Sequence, residues 1–148
     1  QHMIGLLQRV TEARVSIQGE TVARIGPGLL VLAGFRQGDR PERIARFVER
    51  LLNYRVFADA QDRMNLSLRD CRGELLLVPQ FTLAADTNTG NRPSFTPAAA
   101  PEQGRDLFQR LVDTATAAWP GTQSGRFGAD MQVSLVNDGP VTFWLEVD

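Results

Sequence analysis

Leu29-Leu30-Val31-Leu32-Ala33-Gly34-Phe35 is the stretch that decides the fold. A nearly unbroken apolar run of this length reads as a strand buried on both faces, of the kind found at the centre of a sheet. Before it, Gly26-Pro27-Gly28 is a turn signal. Further upstream, residues 4–17 read as a half-exposed strand, because Val10, Val15 and Ile17 interleave with polar residues. Another strand follows Gly19-Glu20. Downstream the period changes: Ile44, Phe47, Val48, Leu51 and Leu52 fall on one face of a helix. Asp39 with Glu42 three residues later gives a capping-box pattern, and Pro41 is tolerated in a first turn. Arg43, Arg46 and Arg50 share a neighbouring face, which is either a solvated flank or a phosphate-contacting stripe.

A second buried strand, Leu75-Leu76-Leu77-Val78, stops at Pro79, which cannot donate to a ladder. Gln80-Phe81-Thr82-Leu83 therefore emerges where a central strand ends. Residues 55–57 read as a short strand, with a turn at 59–62. Residues 86–101, with Gly90, Pro93, Pro97 and Pro101, read as a loop. Residues 102–119 form the second main helix, ended by Pro120-Gly121. Residues 131–136 and 141–147 read as two strands split by Asn137-Asp138-Gly139-Pro140. With no repeat or linker, the expectation is one α/β domain of the β-rich α+β kind.

Composition narrows the chemistry. The chain has 148 residues, 43% of them hydrophobic and 22% charged, which fits one globular domain. No apolar run approaches the roughly 20 residues that span a bilayer, and no secretory signal is visible. Gln1-His2 reads as a tag remnant before Met3, so residues 3–148 are taken as the functional domain. His2 is the only histidine. Without it, a Ser-His-Asp triad, a Cys-His pair and a histidine metal site all drop out. The single cysteine, Cys71, reads as an unremarkable thiol near a turn and fits a reducing, cytoplasmic setting. All 16 basic residues are arginine, which removes Schiff-base chemistry. No metal or organic cofactor is expected. A net charge of −1 means that a nucleic-acid partner would have to meet a local patch, with salt-sensitive binding.

Two segments carry the chemical interest. Asn137-Asp138-Gly139-Pro140 is first of all a turn, since Asn, Asp and Gly tolerate unusual backbone angles. Gln80-Phe81-Thr82-Leu83 has three readings. Thr82 bonds its own backbone; or it is a nucleophile, a poor one without a base; or backbone N–H groups leaving the strand form an oxyanion hole, which suits an ester.

The combination is more specific than either part. Ile4-Gly5-Leu6-Leu7-Gln8-Arg9-Val10, the run from Val78 to Thr87, Arg92-Pro93-Ser94-Phe95, the run from Gly125 to Val133 and that from Asn137 to Leu145 occur in this order. Together they resemble the D-aminoacyl-tRNA deacylases, the D-Tyr-tRNA deacylase family, over residues 3–147. The resemblance implies a β-sheet or barrel-like core with two main helices. It also implies a homodimer with its site at the subunit interface, where Gly139-Pro140 of one subunit, with a cis bond, enters the pocket of the other. There the two carbonyls would accept hydrogen bonds from the α-ammonium of a D-aminoacyl-tRNA, and an L side chain would collide with backbone. Glycine, lacking a side chain, would not be rejected. Backbone N–H groups of Phe81 and Thr82 would face the ester carbonyl, and the 2′-hydroxyl of the terminal adenosine would help activate water. Pro79, Gln80, Phe127, Met131 and Asn137 are the further substrate-binding positions that the resemblance implies, and Arg9 would hold the Gly-Pro element.

One departure stands out. The family's first signature normally begins with serine, and here that position is Pro79. A related L-alanyl-tRNA editing deacylase has proline there, but Phe81, Val141 and Thr142 follow the D-specific group. The alternatives are that L-alanyl editing activity and a non-catalytic aminoacyl-tRNA-binding module.

Overall fold

The computed structural model describes residues 2–148; Gln1, part of the expected tag remnant, lies outside the described residues. β1 (Met3–Ile17) is the axis of a six-stranded, nearly closed, barrel-like sheet. One edge of β1 pairs antiparallel with β8 (Gln132–Val147) along nearly its whole length. The other edge pairs first with β3 (Gly28–Gly34) and then with β2 (Glu20–Ile25). Val10 faces Gly28 and Ala13 faces Ile25, so β2 and β3 follow one another along a single edge. Gly26-Pro27 thus interrupts a strand and does not reverse the chain, contrary to the turn reading. The reversal lies earlier, at Gln18 and Gly19, whose φ values are 51° and 79°. The interruption is where another strand joins: Glu74 N–H donates to the Pro27 carbonyl at 3.0 Å, and Gly26 N–H to the Glu74 carboxylate at 2.8 Å.

β3 runs parallel to β6 (Glu74–Pro79), and β6 parallel to β7 (Gln123–Ser124). Parallel neighbours need long crossovers. The first contains α1 (Ile44–Asn53), the hairpin of β4 (Phe57–Ala58) and β5 (Met64–Leu66), and α2 (Leu68–Cys71). The second contains α3 (Pro101–Ala118). The two main helices are as expected, and α2 is an addition. Its capping box, with Ser67 Oγ accepting from Asp70 N–H at 3.1 Å and Asp70 Oδ2 from Ser67 N–H at 2.9 Å, sustains a helix of only four residues.

Strand alternation divides the core in two. Leu29, Val31, Leu75 and Leu77 face α1 and α3 and pack with Phe47, Leu51, Leu107 and Leu111. Leu30, Leu76 and Val78 face the other way and pack with Val10, Val15 and Ile25. The helical face predicted for α1 is buried at all five positions.

Two local expectations are corrected. Asp39 does not cap a helix. Its carboxylate turns back to accept from Arg36 N–H at 2.7 Å, and a 3-10 turn at Pro41–Arg43 precedes α1 without a side-chain cap. Burial raises the pKa of Asp39, against the opposing pull of that hydrogen bond and of the Arg36 charge. The C-terminal segment is not two strands joined by a turn: β8 is continuous, because β1 holds both halves in register. Among the described residues, no helix is long and apolar enough to cross a membrane.

Candidate functional site

The C-terminal ends of β3 and β6 open into a cavity of about 430 Å³. Pro79, Gln80, Phe81, Phe127 and Met131 all line it, so five of the residues singled out in the sequence are brought together. The cavity wall also includes Ala33, Phe35, Val78 and, from the first turn of α3, Pro101 and Gly104. Apart from Val78, which begins the run from Val78 to Thr87, these wall residues carry no sequence signal beyond being apolar or small. No titratable side chain lines the cavity. A larger groove of about 640 Å³ over β2, β1 and β8 contains none of the motif residues.

The chain leaves β6 through a short 3-10 turn, Phe81–Ala84. Gln80 N–H still pairs with the Ala33 carbonyl at 2.7 Å, which fixes the start of the turn to the sheet. The Gln80 carbonyl then accepts from Leu83 N–H at 3.2 Å. The N–H groups of Phe81 and Thr82 precede the first bonded donor of the turn, and neither finds an acceptor among the described residues. Free first-turn donors at the end of a strand are what an oxyanion site requires. The Thr82 hydroxyl accepts from Gln80 Nε2 at 2.6 Å. Phe81 is 56% exposed, and its ring lies 5.2 Å from that of Phe95. Phe95 comes from the Arg92-Pro93-Ser94-Phe95 segment, the signal that could have brought it into the site.

Met131 and Phe127 are held by close packing. The Met131 sulfur accepts from Arg126 N–H at 3.4 Å, and a Cβ on Gly125 would lie 2.8 Å from it. The Phe127 ring has the Arg105 guanidinium 5.0 Å from its centre, and a Cβ on Gly104 would meet it at 3.2 Å.

Asn137, Gly139 and Pro140 do not line the cavity of their own chain. They belong to an excursion of β8. Val10 faces Asn137 and Gln8 faces Thr142, so Arg9 alone stands opposite residues 138–141. The Arg9 side chain fills that position. Its Nε donates to the Asp138 carbonyl at 2.9 Å and its Nη1 to the Val56 carbonyl at 2.8 Å. Asn137 closes the excursion from within: Oδ1 accepts from Val141 N–H at 2.6 Å, and Nδ2 donates to Thr142 Oγ1 at 2.9 Å. Gly139 and Pro140 are left exposed at the tip, joined by a cis peptide bond. Gly139 has φ +140°, and a Cβ there would lie 2.7 Å from Val141 Cγ2, so the position requires glycine. The Val56 carbonyl was not legible as a partner, since a valine side chain says nothing about where its backbone acceptor points.

Among the described residues, no group of three His, Cys, Asp or Glu is placed to hold a metal ion.

Comparison with known proteins gives these features a context. The model of the family described as D-Tyr-tRNA(Tyr) deacylase matches residues 6–146. A D-aminoacyl-tRNA deacylase of Nitrosococcus oceani is 60% identical over 145 residues, covering 98% of this chain and 94% of the relative. One from Thioalkalivibrio sulfidiphilus is 61% identical, covering 98% and 97%. Among solved structures, a c-Myc DNA unwinding element binding protein superposes with a TM-score of 0.91 at 36% identity, covering 96% of this chain and 97% of that one. A probable eukaryotic D-amino acid tRNA deacylase shares the fold, with a TM-score of 0.83 at 20% identity over 99% and 100% of the two chains. The match along nearly the whole sequence means that this chain belongs to the D-Tyr-tRNA(Tyr) deacylase family.

Proposed function

We propose that the protein is an ester hydrolase that frees tRNA from D-amino acids. The observation that carries this reading is a pair of unengaged N–H groups, one on Phe81, which lines an apolar cavity without titratable side chains, and one on Thr82, the next residue of the turn. An aminoacyl ester is already reactive, so it needs positioning and charge stabilisation more than a strong base. The two N–H groups stabilise the oxyanion as water adds to the acyl carbon. The bond from that carbon to the ribose oxygen then breaks, the proton passes to the leaving oxygen, and free D-amino acid and tRNA result. The neighbouring ribose hydroxyl of the substrate assists the water. No cofactor takes part. Pro79, Gln80, Phe127 and Met131 wall the acyl site, and Thr82 is positional.

Selectivity comes from a second copy of the chain. In a homodimer, the exposed Gly139-Pro140 tip of one subunit enters the cavity of the other and accepts hydrogen bonds from the α-ammonium. With the amino group fixed, an L side chain runs into backbone and a D side chain does not. Glycine passes the same filter. Arg9 and Asn137 hold the tip in position from behind. The absence of Gly139 and Pro140 from the cavity of their own chain supports this arrangement, as does their exposure. A cytoplasmic location follows from the substrate.

The test is paired deacylation of D-tyrosyl-tRNA and L-tyrosyl-tRNA, with L-alanyl-tRNA and glycyl-tRNA alongside. Release of the D-amino acid and glycine alone is expected. Clearance of L-alanine with D-tyrosine untouched would assign Pro79 a changed specificity. Survival of all four esters would leave a binding module.

A further inference from the structure

The arginines are unevenly distributed. Residues 43–72 carry seven arginines against four carboxylates, whereas the rest of the chain carries nine against thirteen. Two of those four carboxylates are occupied locally. Asp59 accepts from the N–H groups of Gln61 and Arg63 and from Asn65, and Asp70 accepts from Ser67 N–H. The other two are Glu49, beside Arg46 and Arg50, and Asp62 in the hairpin turn. None of the three ion pairs found among the described residues involves an arginine of this segment.

The geometry sharpens the asymmetry. Two neighbouring hollows lie at the corner between α1 and α2. One, of about 120 Å³, is lined by Arg46, Glu49, Arg50, Asn53 and Tyr54; the other, of about 440 Å³, by Arg69, Arg72, Trp119 and Pro120. They meet at Asn53, whose Oδ1 accepts from Arg69 Nε at 3.3 Å. Each hollow also holds an arginine over an aromatic ring, Arg50 at 5.6 Å from the Tyr54 centre and Arg69 at 5.8 Å from that of Trp119. A guanidinium held over a ring presents its N–H edge outward, already oriented for a bidentate phosphate contact. From Arg46 to Asn53 the helix rises about 10 Å, so the row is longer than a single phosphate group.

The row also starts at the base of the Gly139-Pro140 tip. Tyr54 packs edge-on against Phe143 of β8, with ring centres 5.9 Å apart. Two residues on, Val56 anchors the Arg9 that holds Asp138.

We infer that Arg46, Arg50, Arg69 and Arg72 form a track for the phosphate backbone of the tRNA whose esterified end lies in the partner subunit's cavity. The inference rests on the deacylase reading, in which this tip enters that cavity and the RNA leaving it passes over these arginines.

The experiment compares the full-length protein with a variant carrying Arg46→Gln, Arg50→Gln, Arg69→Gln and Arg72→Gln. Two substrates are used, D-tyrosyl-tRNA and the short ester D-tyrosyl-adenosine. The variant is expected to raise KM for the tRNA by about tenfold or more with kcat unchanged, and to flatten the plot of log KM against log salt by about 3. The short ester, which has no backbone to grip, should be cleaved as before. Four Arg→Lys changes, which keep the charge, should restore most of the salt slope. Arg110→Gln, whose partner Asp106 lies on α3, should change nothing. Equal losses on both substrates, or an unchanged salt slope, would overturn the track. If the wild type cleaves neither ester, the deacylase reading fails, and retention of uncharged tRNA on a filter across the same salt series still decides the track by the same slope.

Discussion

Thr82 and Gly139 show how much can hang on one residue. Thr82 has a hydroxyl at the site, but its hydrogen-bond partner is the Gln80 amide, which cannot take its proton. A hydroxyl without a base is a weak nucleophile. Thr82→Ala should therefore retain activity within about tenfold, measured as kcat/KM on D-tyrosyl-tRNA; a loss of three or more decades in a folded variant would restore the nucleophile reading. Gly139 is the opposite case, since what matters is the missing side chain. With φ at +140° and Val141 Cγ2 only 2.7 Å from where a Cβ would stand, Gly139→Ala must move the tip. The strain is about 1–3 kcal/mol, local to an exposed excursion. Expected are a modest fall in melting temperature and a much larger fall in deacylation of D-tyrosyl-tRNA. Normal kinetics from this variant would separate the tip from the reaction.

At the scale of elements, α2 and β8 exist for reasons outside their own propensities. Four residues are too few for a stable isolated helix, and α2 depends on its Ser67–Asp70 box. Hydrogen bonds from the Ser67 N–H, and then from its side chain, hold the Asp70 carboxylate below its ordinary pKa. A carboxylate depressed in the folded state contributes stability above its unfolded pKa, and that contribution is lost as pH falls through the folded value. Asp70→Asn should therefore melt lower than wild type at neutral pH, with the gap closing below about pH 4. A gap constant down to about pH 2, well under the usual carboxylate range, would assign the effect to something other than the charge. β8 owes its continuity to β1. Asn137-Asp138-Gly139-Pro140 reads locally as a chain reversal, but β1 pairs with residues on both sides of it. The segment is pushed outward as an excursion, and Arg9 fills the gap left in the ladder.

For the whole molecule, the decisive fact is separation. One chain contains both halves of the proposed site, but at different places: the cavity at the ends of β3 and β6, the tip opposite Arg9. In the proposed arrangement, a second copy of the chain joins them. Activity per subunit should thus fall on dilution through the dimer dissociation constant, with a matching drop in mass by sedimentation. Activity that stays proportional to concentration while the species is monomeric would refute the shared site.

What the sequence by itself determined is whatever depends on short-range pattern. The two buried strands, the apolar face of α1 and the extent of α3 follow from periodicity, and the exclusion of lysine chemistry follows from composition. The ordered motifs carried the family. What only the tertiary structure decided depends on partners far along the chain. Gly26-Pro27 and the segment after Asn137 look like turns, because glycine and proline locally permit reversal. Pairing with a single long strand, β1, makes one an interruption and the other a projecting tip. Asp39 fits a cap by spacing, yet the Arg36 N–H is nearer. The same holds at the site. No local pattern announces that Phe81 and Thr82 N–H groups stay unengaged, or that Arg9 reaches the Val56 carbonyl. Backbone groups carry no residue identity, so their use is legible only once the chain is folded.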